Sequence, residues 1–230
     1  MKSKLYASIS LLIILLLAMC IFSKTNLQQR TLHQTIKTKN AFYELYLPES
    51  YSAKESYPLV VCLSPDGNGK VFYKSLYPVC NKLGCIMACS NDFRNNIPLD
   101  SYLPKVKEMI EDVRKRVSIK ENEIYATGFS GGGMGCYVIA YFHPIFKGLI
   151  INSGAIHPNL YNPKEIRKIN VKKIVLICGR KDGVVPCAYM QKDKEFLEKA
   201  GFETYLIEFN GSHEIAPAEI YEKALRYLIE

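Results

Sequence analysis

Along the chain, short continuous apolar runs alternate with longer stretches in which apolar residues recur every three or four positions. The runs at 58–63, 85–89, 149–151 and 174–178 contain no charged residue and predict strands covered on both faces. Residues 42–47 are rich in aromatics and alternate, which predicts a further strand ended by Pro48. Strands over 124–128 and 204–208 complete the set. Val106, Met109, Ile110, Val113 and Val117 fall at helical spacing and predict a helix over 101–117. Helices are also predicted over 131–142, closed by His143-Pro144, over 188–200, stopped by Gly201, and over 218–229. Strands and helices taking turns predict an α/β fold, a mostly parallel central sheet with helices on both faces. Only about twenty residues separate Ile151 from Ile174, so any cap over the sheet is minimal.

The N-terminus breaks this rhythm. Lys2 and Lys4 precede an uncharged run from Leu5 to Phe22, densest from Leu11 onward. A basic start and a short apolar core form a secretory signal, and a helix apolar all round would be a poor surface element of a globular domain. Residues 1–23 are therefore expected to direct export, with 24–31 a polar tether and 32–230 the folded domain. Three outcomes of export stay open. Cleavage would release a secreted or periplasmic protein. The run is long enough to remain as a single anchor. Leu17-Ala18-Met19-Cys20 is similar to a bacterial lipobox, in which Cys20 would be lipidated, although Met19 stands where a small residue is usual.

The 230 residues suit one domain, and a chain of that length can bury a large core without metals or disulfides. The net charge of +8 comes from scattered bases, in short groups such as Arg114-Lys115-Arg116. With no nucleic-acid motif beside them, they read as solvated faces rather than a nucleic-acid stripe. Apart from Cys20, seven cysteines remain, at 62, 80, 85, 89, 136, 178 and 187. An odd number cannot all pair within one chain. Cys62, Cys136 and Cys178 sit in apolar stretches and read as small core hydrophobes. The spacing of Cys80, Cys85 and Cys89 is not that of a zinc site. An exported chain has room for one or two disulfides, with the pairing unassigned.

The sharpest motif is Gly128-Phe129-Ser130-Gly131-Gly132-Gly133, between a predicted strand and a predicted helix. That is the setting of the G-x-S-x-G elbow, where a strained turn lifts a serine hydroxyl above the sheet and glycines admit the neighbouring backbone. It also puts the Gly131 amide at a helix N-terminus, able to donate to an oxyanion. A serine needs a base, and the base an orienting acid. His213, in Asn210-Gly211-Ser212-His213-Glu214, follows the last strand and precedes the last helix. Asp182 follows the strand at 174–178, in Gly179-Arg180-Lys181-Asp182-Gly183. Ser130, Asp182 and His213 thus stand in the chain order of an α/β-hydrolase triad, each after a strand. His33 lies ahead of the core, His143 reads as a helix cap, and His157 reads as a loop residue able to line a pocket.

With these elements the chain resembles the small α/β-hydrolase esterases, a group that includes phospholipase/carboxylesterase-type, feruloyl and polyhydroxyalkanoate esterases. The likeness rests on Tyr43 to Pro48, Tyr57-Pro58-Leu59-Val60-Val61, the elbow with Met134, the turn from Gly179 to Pro186, and Gly211-Ser212-His213. It covers roughly residues 40 to 230. One departure concerns the first oxyanion loop. Such esterases usually open it with His-Gly, where this chain has Ser64-Pro65. Pro65 has no N–H, which moves the expected second donor to the backbone of Asp66.

The resemblance implies hydrolysis of a carboxylic ester through an acyl-enzyme, with no metal or organic cofactor. The partner would be a small or extended ester, with Phe93, His157 and Tyr161 as possible pocket residues. Two other readings share the fold: a binding protein without turnover, supported by the altered Ser64-Pro65 entry, and a serine peptidase of related fold. The N-terminal segment is the only part expected to meet a membrane. The sequence leaves the oligomeric state open.

Overall fold

The computed structural model of the chain describes residues 32–230; the expected export segment, tether and Cys20 lie outside the described residues. Eight strands form one sheet: β1 His33–Lys37, β2 Phe42–Tyr46, β3 Tyr57–Leu63, β4 Ile86–Ser90, β5 Ile119–Phe129, β6 Gly148–Asn152, β7 Lys173–Gly179 and β8 Glu203–Phe209. Their order across the sheet is β1-β2-β4-β3-β5-β6-β7-β8. β2 is antiparallel to both β1 and β4, and every other pairing is parallel. The expected mostly parallel sheet is therefore present, with two antiparallel pairings at one edge, both made by β2.

Among the described residues six α-helices flank the sheet: α1 Tyr77–Leu83, α2 Leu99–Arg116, α3 Gly131–Phe142, α4 Pro163–Ile166, α5 Cys187–Ala200 and α6 Ala218–Ile229. The buried side chains divide into two groups, one on each face. Tyr102, Val106 and Met109 of α2, Tyr137 of α3 and Leu197 of α5 pack with Leu59, Val61 and Leu176. Val79 of α1 and Tyr221, Ala224 and Leu225 of α6 pack with Val60, Cys62 and Val175 on the other face. This double cover explains why β3, β4 and β6 are buried along their whole length and read as unbroken apolar runs. Among the described residues, no helix is long and apolar enough to cross a membrane.

Two features depart from the expectations. Cys178 is no simple core thiol: it forms a disulfide with Cys187, across the loop between β7 and α5. Its apolar neighbours in β7 fix its burial, but a partner nine positions later carries no apolar signature. Cys62, Cys80, Cys85, Cys89 and Cys136 are free and buried. β5 also starts five residues before its predicted apolar segment, because Lys120 to Asn122 reach past the covered part of the sheet and stay exposed.

Candidate active site

The parallel strands end together. Leu63 of β3 pairs with Gly128 of β5, Phe129 with Asn152 of β6, and Asn152 with Ile177 of β7. Loops leaving this edge carry all three residues that the sequence singles out as catalytic, as a parallel sheet favours.

Ser130 sits between β5 and α3 with φ of 54° and ψ of −123°, a strained backbone for any residue but glycine. Close packing fixes that turn. A Cβ on Gly128 would approach the Gly132 carbonyl carbon to 2.2 Å, and one on Gly132 would approach the Leu63 oxygen to 2.0 Å. The Ser130 N–H donates to the Asn152 oxygen at 2.9 Å, and Met134 N–H donates back to the Ser130 oxygen, starting the helix.

Ser130 Oγ lies 2.9 Å from His213 Nε2, and His213 Nδ1 lies 2.8 Å from Asp182 Oδ2. Asp182 is fully enclosed while the imidazole is about one-fifth exposed. The other Asp182 oxygen accepts the Val184 and Val185 amides at 2.8 Å each. Burial pushes the Asp182 carboxyl up, but the Val185 amide, His213, the Val184 amide and Ser153 together outweigh it and hold the group below its ordinary range. Gly179 lets the two loops meet, since a Cβ there would lie 2.3 Å from the Ser212 oxygen. The Phe129 ring packs beside the imidazole, with centroids 4.9 Å apart.

A cleft of about 470 Å³ opens beside Ser130 and Gly131, with Phe93, Tyr102, Met134 and Val138 as its apolar wall. Arg94, Asn95, Asn96 and His157 supply its polar rim. A second hollow of about 190 Å³ continues it, sharing Leu99, Val138 and His157 and reaching Phe142 and Leu160. Phe93 and His157 thus line the cleft as the sequence allowed. Tyr161 lies outside it, exposed and stacked on Phe196 at 4.4 Å. His143 closes α3 and contacts the Leu103 oxygen, and His33 pairs with Glu44 on the β1–β2 edge, so neither meets Ser130.

Asp66 is exposed and its side chain turns into its own loop, accepting from Ser64 Oγ at 2.5 Å and Asn68 N at 3.2 Å. It stands outside the cleft lining. Its backbone pairs with Arg94, and Asn95 N–H donates to the Pro65 oxygen at 2.8 Å. The side chain beside the elbow is that of Asn95: a Cβ on Gly131 would meet its amide oxygen at 1.8 Å. Sequence reading missed Asn95, which lies in an irregular loop after β4 with no motif to mark it. No group of three His, Cys, Asp or Glu side chains able to hold a metal ion occurs among the described residues.

A doubly covered, mostly parallel sheet with a nucleophile elbow after β5 defines an α/β hydrolase. The family described as Phospholipase/Carboxylesterase matches residues 84–228, and the chain belongs to it. No curated protein matches the chain by sequence. Solved structures share the fold. FphF, a fluorophosphonate-binding serine hydrolase of Staphylococcus aureus, superimposes with a TM-score of 0.70 at 11% identity, covering 86% of this chain and 97% of that one. The S-formylglutathione hydrolase FrmB of the same organism gives 0.68 at 13%, covering 86% and 98%. A thermostable esterase gives 0.63 at 21%, covering 86% of this chain; the chain spans 62% of that esterase's length.

Proposed function

We propose that this protein cleaves carboxylic esters by acyl transfer, with Ser130 as nucleophile, His213 as general base and Asp182 as the orienting acid. The observation that carries the reading is the unbroken line of contacts from Ser130 Oγ through His213 to Asp182, at 2.9 and 2.8 Å, at the mouth of a cleft. His213 Nε2 takes the serine proton as Oγ attacks the ester carbonyl, then returns it to the departing alcohol. Asp182 fixes the tautomer by accepting from Nδ1 and stabilises the imidazolium as it forms. Its low pKa keeps it ionised for that task. Water, deprotonated by the same imidazole, then attacks the acyl-enzyme, and the imidazolium passes that proton to the departing Ser130 Oγ as the acid is freed.

The oxyanion would be met by the Gly131 N–H at the start of α3 and by an amide of the loop at Asp66, each donor contributing about 3 kcal/mol in comparable sites. Asn95 lines the cleft beside Gly131 with its amide oxygen nearest the glycine, and turning that amide over would aim its Nδ2 donors at the same place. The apolar wall and its continuation toward Phe142 favour an ester with an extended apolar part over a very small one. Export through the N-terminal segment fits the same picture. The Cys178–Cys187 disulfide supports it, because such bonds persist mainly outside the reducing cytosol.

The test is hydrolysis of p-nitrophenyl acetate, butyrate and octanoate by the protein and by Ser130→Ala. The reading requires activity that disappears in the variant and rises from acetate to the longer chains. Equal rates for the two proteins would defeat it.

A further inference from the structure

Just past the last residues that the sequence pattern marks in β6 lies a buried polar pair, Asn152 and Ser153, both 0% exposed. We propose that these two residues are positioning residues that hold the nucleophile, the base and the acid in one frame; this inference rests on the catalytic reading of Ser130, His213 and Asp182.

Asn152 reaches two of the three loops. Its backbone oxygen accepts the Ser130 N–H at 2.9 Å, anchoring the elbow. Its side chain grips the loop that carries His213. Oδ1 accepts the Ala216 N–H at 2.7 Å and the Tyr221 hydroxyl at 3.2 Å, and Nδ2 donates to the Glu214 oxygen at 3.3 Å. Glu214 is the residue after His213, and Ala216 stands just before α6, so the imidazole is carried on a loop clamped from below. The remaining Nδ2 hydrogen goes to Ser153 Oγ at 3.2 Å. Both donors of the amide are used, and the side chain itself is fully buried. A side chain without those groups would leave the buried Ala216 N–H unpaired and release the Glu214 carbonyl.

Ser153 reaches the third loop. Its N–H donates to the Ile177 oxygen at 2.7 Å, in the strand that leads to Asp182. Its hydroxyl oxygen accepts from Asn152 Nδ2, and its side chain is one of the groups that offset the burial of the Asp182 carboxyl. The residue holds φ of 47°, a conformation that glycine would adopt without strain. A strained serine in a buried position is accounted for if its hydroxyl is in use. Neither residue touches the cleft. Their part is geometric: they tie together three loops that are 52 and 31 residues apart in sequence at Ser130, Asp182 and His213.

The experiment compares the full chain with Ser153→Gly and Asn152→Ala. Active sites are titrated with a fluorophosphonate, so that only competent molecules are counted, and kcat and KM are measured on p-nitrophenyl butyrate. The downfield proton resonance of the His213 Nδ1–H reports the contact with Asp182 directly. Ser153→Gly relieves backbone strain and so stays folded. It is expected to lose about 10-fold in kcat per titrated site with KM unchanged, the scale of a small misplacement of reacting groups. Its downfield resonance is expected to shift or broaden. Asn152→Ala is expected to lose more. Wild-type kcat per site and an unmoved resonance in Ser153→Gly would overturn the proposal, whatever happens to Asn152→Ala. If the wild-type chain hydrolyses no ester, the catalytic reading fails, and the His213 resonance alone decides whether the pair positions the imidazole against Asp182.

Discussion

Cys178, at the end of β7, and Cys187, at the start of α5, are joined by a disulfide that encloses Asp182 within a sequence separation of nine. Asp182 is thus held on a closed loop, and the two amides bound to it come from Val184 and Val185 inside the same ring. Closing a loop of this size removes unfolded-state entropy worth about 2–3 kcal/mol. The double variant Cys178→Ala/Cys187→Ala is expected to unfold in urea with stability lower by about that amount. Reductant is expected to weaken the wild type in the same way and to leave the double variant unchanged. Equal urea midpoints for wild type and variant would remove any structural role for the bond.

The elbow glycines are expected to fail in different ways. A Cβ on Gly128 collides with the backbone of Gly132, which cannot yield without moving α3. Gly128→Ala should lower stability by about 1–3 kcal/mol, the cost of overpacking a rigid site. A Cβ on Gly131 collides with the Asn95 side chain, which can swing aside. Gly131→Ala should therefore fold nearly as well as wild type yet turn over poorly. Asn95→Ala should keep the fold and lose part of the rate. Thermal melts run beside active-site titration separate the two classes.

Much of this architecture was legible because double burial leaves a plain mark. β3, β4, β6 and β7 are apolar runs, and the elbow's glycines flag a turn where backbones nearly touch. β1 was not legible, because its five residues bury only Ile36 and its position depends on pairing with β2. α1 escaped for a related reason: seven residues with Val79 and Cys80 as their buried contacts give too short a pattern to show a period. At the site, Ser130, Asp182 and His213 follow from motif and order, whereas Asn95 and Asn152 do not. Their importance comes from loops and strands that are distant in sequence, and an asparagine after an apolar run looks like any strand end.

Tyr137 tests the packing beside the cleft. Its hydroxyl is buried on α3 with no hydrogen-bond partner, a rare arrangement. Burial, with the nearby Asp193 carboxylate, pushes its pKa well up, so the group stays neutral and unsatisfied. Tyr137→Phe removes an unpaired polar group without changing the ring. Stability is expected to stay level or rise by about 1 kcal/mol. A loss of more than that in urea unfolding would mean that the hydroxyl has a partner.

Two buried carboxyls should drive the pH dependence of stability in opposite directions. Burial raises the Asp193 pKa above the ordinary 3.8, against weaker help from the Ile156 amide and Tyr161. Its folded-state preference is for the protonated form, so its contribution is complete below the unfolded pKa and is lost as pH rises through the folded one. Glu44 is the reverse. Burial pushes it up, but hydrogen bonds from Thr35, Asn91 and His33 outweigh that and bring it below the ordinary 4.5. Its contribution is present above the unfolded pKa and is lost as pH falls through the folded one. Asp193→Asn keeps a carbonyl to accept the Ile156 N–H at 3.2 Å while deleting the charge. It should stabilise the protein near neutral pH, with the gain shrinking toward about pH 4. Glu44→Gln turns an amide toward the Thr35 and Asn91 donors. It should cost stability near neutral pH, with the deficit shrinking on acidification. Urea unfolding of wild type and both variants across that range checks the two signs separately. A gain for Asp193→Asn that grew toward acid pH would mean that this carboxylate is stabilised by its surroundings, not penalised by them.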